Sequence, residues 1–490
     1  MKCQKFRRRQ FLKLSSFTLG SWFSGNLVFG SGCSKTSEKP NLVFVFADQW
    51  RACDTGYGGN QEVKTPNLDQ FASESVNFST AVSGCPVCSP YRASLMTGQY
   101  VLTHGVFYND RPLGTRAVSL AQAYKNAGYQ TGYIGKWHLR GKTGAVSLQE
   151  SRQAPVQKEH RQGFDFWRVN ECTHDYNQSF YYDENNEKHY WEGYDAIAQT
   201  KAAQEYIRKK SRESNPFILF LSWGPPHSPY FTAPEKYQEL FSDLSKITVR
   251  QNVPPELINN AQKDYAGYYA HIAVLDDCFG ELIKTVKESG IENNTILVFT
   301  SDHGDMLYSQ DQIKKQKPWD ESIRVPFLLR YPKAHGKGGK IVDMPINTPD
   351  IMPTLLGLSQ IPIPDTVEGK DFSGVVLGKQ ELDNEGVLIM CPVPFHQWNY
   401  RRGGREYRGI RTRRYTYVRD LDNPWLLYDN KNDPFQLNNL INNPEYSEIQ
   451  QQCEKLLAQK LAETRDQFLP GSDYMAKWKY SWDGDDAPDL

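Results

Sequence analysis

The sequence predicts an α/β protein: a large, mostly parallel, doubly wound sheet flanked by helices, followed by a smaller α+β subdomain. Three observations carry that prediction. Continuous apolar runs recur along most of the chain, amphipathic helical patterns separate them, and near residue 380 the texture changes to alternating strands closed by one helix.

Leu42-Val43-Phe44-Val45-Phe46 is apolar without interruption, as a strand buried on both faces of a parallel sheet must be. Similar runs occur at Thr131-Gly132-Tyr133-Ile134, at Phe217-Ile218-Leu219-Phe220-Leu221 and at Ile296-Leu297-Val298-Phe299. Between them Leu120, Ala123, Tyr124 and Ala127 share one helical face, as do Ile272, Leu275, Phe279, Leu282 and Val286. Further on, Tyr407 to Thr412 and Tyr415 to Val418 alternate as antiparallel strands do, and Tyr446 to Arg465 reads as an amphipathic helix. The chain thus divides into a leader over 1–33, a polar tether over 34–40, a main body over 41–380 and the subdomain over 381–490.

Composition limits the function classes. Among 490 residues, Lys+Arg and Asp+Glu are 57 each, so the protein carries no long-range field for nucleic acid or anionic lipid. Hydrophobic residues at 39% and aromatics at 13% exclude global disorder. No run past the N-terminus approaches the ~20 apolar residues of a membrane span.

The leader reads as an address. Arg7-Arg8-Arg9-Gln10-Phe11-Leu12-Lys13 precedes a modestly apolar stretch to Phe29, the layout of a secretory signal. Its twin arginines resemble a Tat signal. Gly30-Ser31-Gly32 before Cys33 resembles a bacterial lipobox, with Gly30 standing where Leu is usual, so Cys33 is a candidate for lipid attachment. The expectation is export to the periplasm or cell surface, with membrane attachment only through lipid. Of nine cysteines, seven lie outside the leader, an odd number that speaks against a disulfide scaffold.

The residues after each apolar run carry the chemistry. They are Asp48-Gln49, then Gly135-Lys136-Trp137-His138, then His227, and finally Thr300-Ser301-Asp302-His303-Gly304-Asp305. In a doubly wound sheet the strands' carboxyl ends form the ligand crevice, so four polar ends define one site. The segment Cys85-Pro86-Val87-Cys88 admits a C-x-x-C redox reading. The other reading starts at Cys88. Cys88-Ser89-Pro90-Tyr91-Arg92 followed by Ala93-Ser94-Leu95-Met96-Thr97-Gly98 resembles the signature of type I sulfatases. The strand-end motifs above, Lys315 before Trp319-Asp320-Glu321-Ser322-Ile323-Arg324-Val325-Pro326, and Leu427-Tyr428-Asp429 through Asp433-Pro434 follow in that family's order. The likeness covers residues from about 40 to 470.

This resemblance implies an alkaline phosphatase-like sulfatase fold and a sulfuric ester hydrolase. It implies that a maturation enzyme oxidises Cys88 to formylglycine, whose hydrate has two hydroxyls: one attacks sulfur, and deprotonation of the other expels sulfate. A plain Ser would form a sulfate ester that is itself hard to hydrolyse. Arg92, one helical turn on, would orient the hydrate and offset charge, and the helix beginning near Ser89 would point its N-terminus at the anion. Lys136 would stabilise the hydrate and His138 take its proton, while His227 and Lys315 would hold sulfate oxygens and help protonate the leaving alcohol. Lys317 competes for the last role, but Lys315 stands four residues before Trp319, as the family pattern has it.

Asp48, Gln49, Asp302 and His303 would ligate one divalent cation, which the family implies is calcium. Two departures bear on its identity: many sulfatases carry Asp at the position of Gln49 and Asn at that of His303. Imidazole is not a preferred calcium ligand. Asp305 reads equally as an outer neighbour of this set or as a solvated loop carboxylate. Tyr91, where many relatives carry Ser, bears on recognition by the maturation enzyme.

The expected substrate is a sulfated carbohydrate, an oligosaccharide of a polysaccharide such as an algal one. An exported sulfatase meets such polymers, and two stretches suit them. His174-Asp175-Tyr176 through Tyr190-Trp191 is dense in aromatics and carboxylates, with His174 a candidate sugar contact. His396-Gln397-Trp398-Asn399-Tyr400-Arg401-Arg402 offers Trp398 for stacking and the Arg401 and Arg402 guanidiniums for anionic groups. Three other readings compete: a phosphodiesterase or phosphonate monoester hydrolase of the same superfamily, a non-catalytic glycan-binding lipoprotein with unconverted Cys88, and the C-x-x-C oxidoreductase.

Overall fold

The computed structural model describes residues 39–142, 146–380, 382 and 384–481. The expected leader, with its twin arginines and Cys33, lies outside the described residues. Five strands form the centre of a ten-stranded sheet: β1 (Asn41–Asp48), β2 (Gln130–Lys136), β3 (Phe166–Asn170), β4 (Phe217–Pro226) and β5 (Thr295–Ser301). They lie side by side in the order β5-β1-β4-β2-β3, and all are parallel.

The continuous apolar character of β1 has a direct cause. Leu42, Phe44 and Phe46 enter the hydrophobic core on one side of the sheet, and Val43, Val45 and Ala47 enter the core on the other. Successive side chains point to opposite faces, so a strand covered on both sides needs apolar residues at every position. The 31-residue helix Ile258–Glu288 supplies much of the second core, burying Ile272, Leu275, Phe279, Leu282 and Val286.

The sheet is mixed rather than purely parallel. Phe327–Arg330 pairs antiparallel with β5, and Val76–Phe78 and Lys340–Val342 follow beyond it. Phe180–Tyr182 and Lys188–Tyr190 add antiparallel strands beyond β3. These outer strands are three or four residues long. That is too short for a period to register in the sequence.

The C-terminal sheet has four antiparallel strands: Gly386–Cys391, Tyr407–Thr412, Tyr415–Arg419 and Pro424–Asp429. The helix Ser447–Glu463 packs on it through Cys453 and Leu457, in a core that also contains Cys85, Val87 and Phe107. The small sheet therefore braces the segment leading into Cys88. Among the described residues no helix is long and apolar enough to cross a membrane.

Candidate active site

The chain places β4 on one side of β1 and β5 on the other, so the crevice opens at the carboxyl ends of these strands. Asp48 ends β1, Asp302 and His303 follow β5, Lys136 ends β2 and His227 follows β4. The strands approach closely here. Gly135 has φ +101°, and a Cβ on it would lie 2.1 Å from the Ser222 carbonyl oxygen of β4, so only glycine serves. Gln49 and His138 also have positive φ, 75° and 57°, strained conformations held where side chains must turn into the crevice.

Cys88 opens the helix Cys88–Thr97 and is buried. Its Sγ, which marks where a formylglycine oxygen would begin, lies 2.9 Å from Lys315 Nζ and 3.3 Å from His303 Nε2. Asp48 Oδ1 is 3.6 Å away and Lys136 Nζ 3.9 Å. Burial and the Asp48 carboxylate push the thiol's pKa up, but Lys136, Lys315 and His303 outweigh them and hold it well below its usual value. Ser89 N donates to Asn109 Oδ1 and Ser89 Oγ to the His138 carbonyl, fixing the first turn of the helix.

Arg92 ties the strand ends together. Its Nη1 donates to the Lys136 carbonyl and to Ser222 Oγ, each at 2.7 Å. Its Nη2 donates to Asp48 Oδ2 at 3.2 Å and Asp302 Oδ2 at 3.1 Å. Four bonds thus reach β1, β2, β4 and the end of β5. The expected charge-offsetting role falls on two carboxylates, and the side chain also acts as a structural knot. Lys136 Nζ lies 2.6 Å from Asp48 Oδ2. Burial alone would raise the Asp48 pKa, but Lys136, Lys315 and nearby imidazoles hold it well below the carboxylate range.

The oxygens left over suit a divalent cation. One ligand atom each from Asp48, Cys88, Asp302 and His303 lies within 4.8 Å of the others. Gln49 Oε1 is buried and finds no hydrogen-bond partner among the described residues, while Gln49 Nε2 donates to Asp305 Oδ2 at 2.6 Å. An orphaned buried carbonyl of fixed orientation is what a metal ligand looks like without its ion. His303 Nδ1 lies 2.9 Å from the Gly304 carbonyl, so donation there leaves Nε2 as the lone-pair nitrogen. Two carboxylates, an amide oxygen and an imidazole fit a divalent ion with mixed oxygen and nitrogen donors.

The remaining residues divide. His227 and His174 are largely buried and stack at 4.4 Å between ring centroids. Burial first, then Lys315 and His174, lowers the His227 pKa; burial, then Lys136, lowers that of His174 to about 3. Lys317, two residues from Lys315, turns away: its Nζ donates to the Ile313 carbonyl at 2.7 Å and lies 5.2 Å from the centre of the Trp398 ring. Arg401 and Arg402 are exposed on a short 3-10 turn. Trp398 corrects an expectation. It is 2% exposed, lies under Lys317 and stacks toward Trp425, so it offers no face to a sugar ring.

Two carboxylates take places that the sequence left open or unmarked. Asp305 is no solvated loop carboxylate: it is fully buried and accepts from Gln49, Tyr230, Leu307 N and Lys314 N. Asp110, which no motif marks, lies 3.1 Å from His138 Nε2 and accepts two bonds from Arg152. Cys85 and Cys88 are free thiols, and burial pushes the Cys85 pKa up to about 12.

Comparison with known proteins bears on this constellation. The profile of the family described as Sulfatase matches residues 40–361, and that described as N-sulphoglucosamine sulphohydrolase, C-terminal, matches residues 312–465. The chain is 43% identical over 448 residues to an ulvan-active sulfatase of Formosa agariphila, covering 90% of this chain and 85% of that protein. It is 30% identical over 469 residues to an endo-4-O-sulfatase of Bacteroides thetaiotaomicron, covering 83% and 89%. Among solved structures, that of the sulfatase yidJ of Bacteroides fragilis is similar at TM-score 0.80 and 30% identity, covering 91% of this chain and 99% of that one.

Proposed function

We propose that this chain, which belongs to the sulfatase family and is a hydrolase of sulfate esters, releases sulfate from a sulfated oligosaccharide of a polysaccharide such as an algal one, using formylglycine made from Cys88. The observation that carries the reading is the place of Cys88: at a helix start, between Lys315 at 2.9 Å and His303 at 3.3 Å, with Lys136 and Asp48 behind it. The carbohydrate rests on the likeness to an ulvan-active sulfatase and on the exposed Arg401 and Arg402. Export, with lipid attachment at Cys33, completes the proposal.

When present, the formylglycine hydrate supplies the attacking oxygen and the divalent cation, held by Asp48, Gln49, Asp302 and His303, draws charge from the sulfate oxygens. The chain's own groups do the rest. Lys315 and Lys136 place two ammoniums at residue 88, where they favour the deprotonated attacking oxygen and offset the charge of the sulfate bound beside it. Lys136 is shared with Asp48, which keeps it protonated: burial opposes its charge, but Asp48 raises its pKa well above 10.5. His227, stacked beside His174, and Lys315 hold sulfate oxygens and together help to protonate the leaving oxygen. His138 exchanges a proton with residue 88 as sulfate departs. Arg92 holds the strand ends so that these groups converge.

The reading is tested by mass spectrometry of the peptide containing Cys88 from active protein, with sulfate release measured on a panel of defined sulfated oligosaccharides. The aldehyde and turnover on a member of the panel are expected. A better aryl phosphate than aryl sulfate substrate, compared with and without chelator, would favour the phosphodiesterase alternative. A small ester such as choline sulfate as best substrate would overturn the carbohydrate assignment.

A further inference from the structure

His138 is buried, has a left-handed backbone with φ 57°, and brings its ring against Cys88. Its two nitrogens have different fates. Nε2 lies 3.1 Å from Asp110 Oδ1, whereas Nδ1 is buried without a hydrogen-bond partner among the described residues. Asp110 is itself clamped: Arg152 Nε donates to Oδ1 at 2.9 Å and Nη2 to Oδ2 at 2.7 Å. Arg152 comes from the helix Leu148–Gln153, whose start is held by a capping box between Ser147 and Glu150. Asp110, His138 and Arg152 come from three separate segments, and only the fold brings them together.

We infer that Asp110, clamped by Arg152, is a positioning residue for His138: it accepts a hydrogen bond from Nε2–H, fixes the tautomer and the ring, and so leaves Nδ1 to exchange a proton with residue 88. The inference rests on the proposed reading of the site. An imidazole held by one carboxylate keeps a single tautomer, and the bidentate guanidinium keeps that carboxylate from rotating. Asp110 does not itself take up the proton. Burial favours its neutral form, but His138 and Arg152 hold its pKa far below the carboxylate range.

Asp110→Asn keeps the size of the side chain and removes its charge. The amide has one oxygen for three donors: kept at the Oδ1 position, it turns the NH2 against Arg152 Nη2, and moved to the Oδ2 position, it turns the NH2 against Arg152 Nε and the ring, so the single tautomer that the carboxylate enforces is lost. With an aryl sulfate, kcat should fall roughly 100-fold while KM stays within about threefold, the scale of losses when a group orienting a catalytic His is removed. In 15N-histidine spectra of the protein, with His138 assigned by its loss in His138→Ala, the Nε2 resonance should leave the fully protonated position and move toward the unprotonated range as the second tautomer is populated. A folded Asp110→Asn variant with kcat within about threefold of the parent, or with an unchanged His138 tautomer, overturns the inference. Should that variant not fold, Arg152→Gln releases the clamp and leaves Asp110 in place, and roughly a tenfold fall in kcat is expected there. Unchanged kcat in Arg152→Gln overturns the inference as well. Full activity in His138→Ala would overturn the reading of the site itself, whereas an inactive His138→Ala beside a normal Asp110→Asn would remove only the role of Asp110.

Discussion

Replacing Lys315 and Lys317 by Met, one at a time, should separate a catalytic ammonium from a structural one two residues away. Lys315 Nζ lies 2.9 Å from Cys88 Sγ, so its loss removes one charged donor from the reacting centre. Deleting one such donor costs about 3–4 kcal/mol of transition-state stabilisation, a fall in kcat of roughly 10² to 10³. Lys317 is buried, donates to the Ile313 carbonyl and lies over Trp398. Burial is the largest reason its pKa drops from 10.5 to about 7. Between those two values the unfolded chain holds a proton on this lysine that the folded chain lacks, so this group makes stability rise with pH through that window. The slope is about 1.4 kcal/mol per pH unit, which bounds the penalty at pH 7 at about 5 kcal/mol. Met removes the titration and orphans the Ile313 carbonyl, a loss of about 1–3 kcal/mol. Lys317→Met should therefore be more stable than the parent by roughly 2–4 kcal/mol at pH 7, and that advantage should vanish by about pH 9.5. Melting temperatures of parent and variant at both pH values, read as a difference so that other titrations cancel, measure it. A difference that does not change with pH refutes the burial argument, and a large loss of kcat in Lys317→Met with a normal Lys315→Met refutes the assignment of the two lysines.

Cys88→Ala should abolish turnover, whereas Cys85→Ser should leave kcat within a few fold, because Cys85 is buried in the core that joins the small sheet to the body; an inactive but folded Cys85→Ser would revive the redox reading. Asp302→Ala should lose both bound divalent metal, measured by elemental analysis, and activity; unchanged stoichiometry would remove Asp302 from the ligand set. Truncating Arg401 and Arg402 together should raise KM for an anionic oligosaccharide and leave a small aryl sulfate unaffected, since both side chains are exposed outside the buried centre. Equal losses on the two substrates would place them in folding or in the sulfate pocket. Secretion of an Arg8→Lys, Arg9→Lys precursor at the parental level would count against the twin-arginine route.

Sequence alone determined the parts of this protein that rest on local rules. The uninterrupted apolar runs of β1, β4 and β5 announced strands covered on both faces, because a residue's burial there depends only on alternation across the sheet. The run Cys88-Ser89-Pro90-Tyr91-Arg92 and the polar residues after each strand announced the site, because a parallel sheet delivers all its carboxyl ends to one edge. Tertiary structure decided what depends on groups far apart in the chain. It set Lys315 against Cys88 and turned Lys317 over Trp398, a choice that spacing could not make because a loop without a period does not fix which way its side chains point. It buried Trp398, which composition presented as a sugar platform, since the small sheet folds back over it. It also joined Asp305 to Gln49 across 256 residues and Asp110 to His138 across 28. Orienting carboxylates of this kind carry no motif. Their role comes from the hydrogen bond they accept, and only the folded chain brings the donor to them.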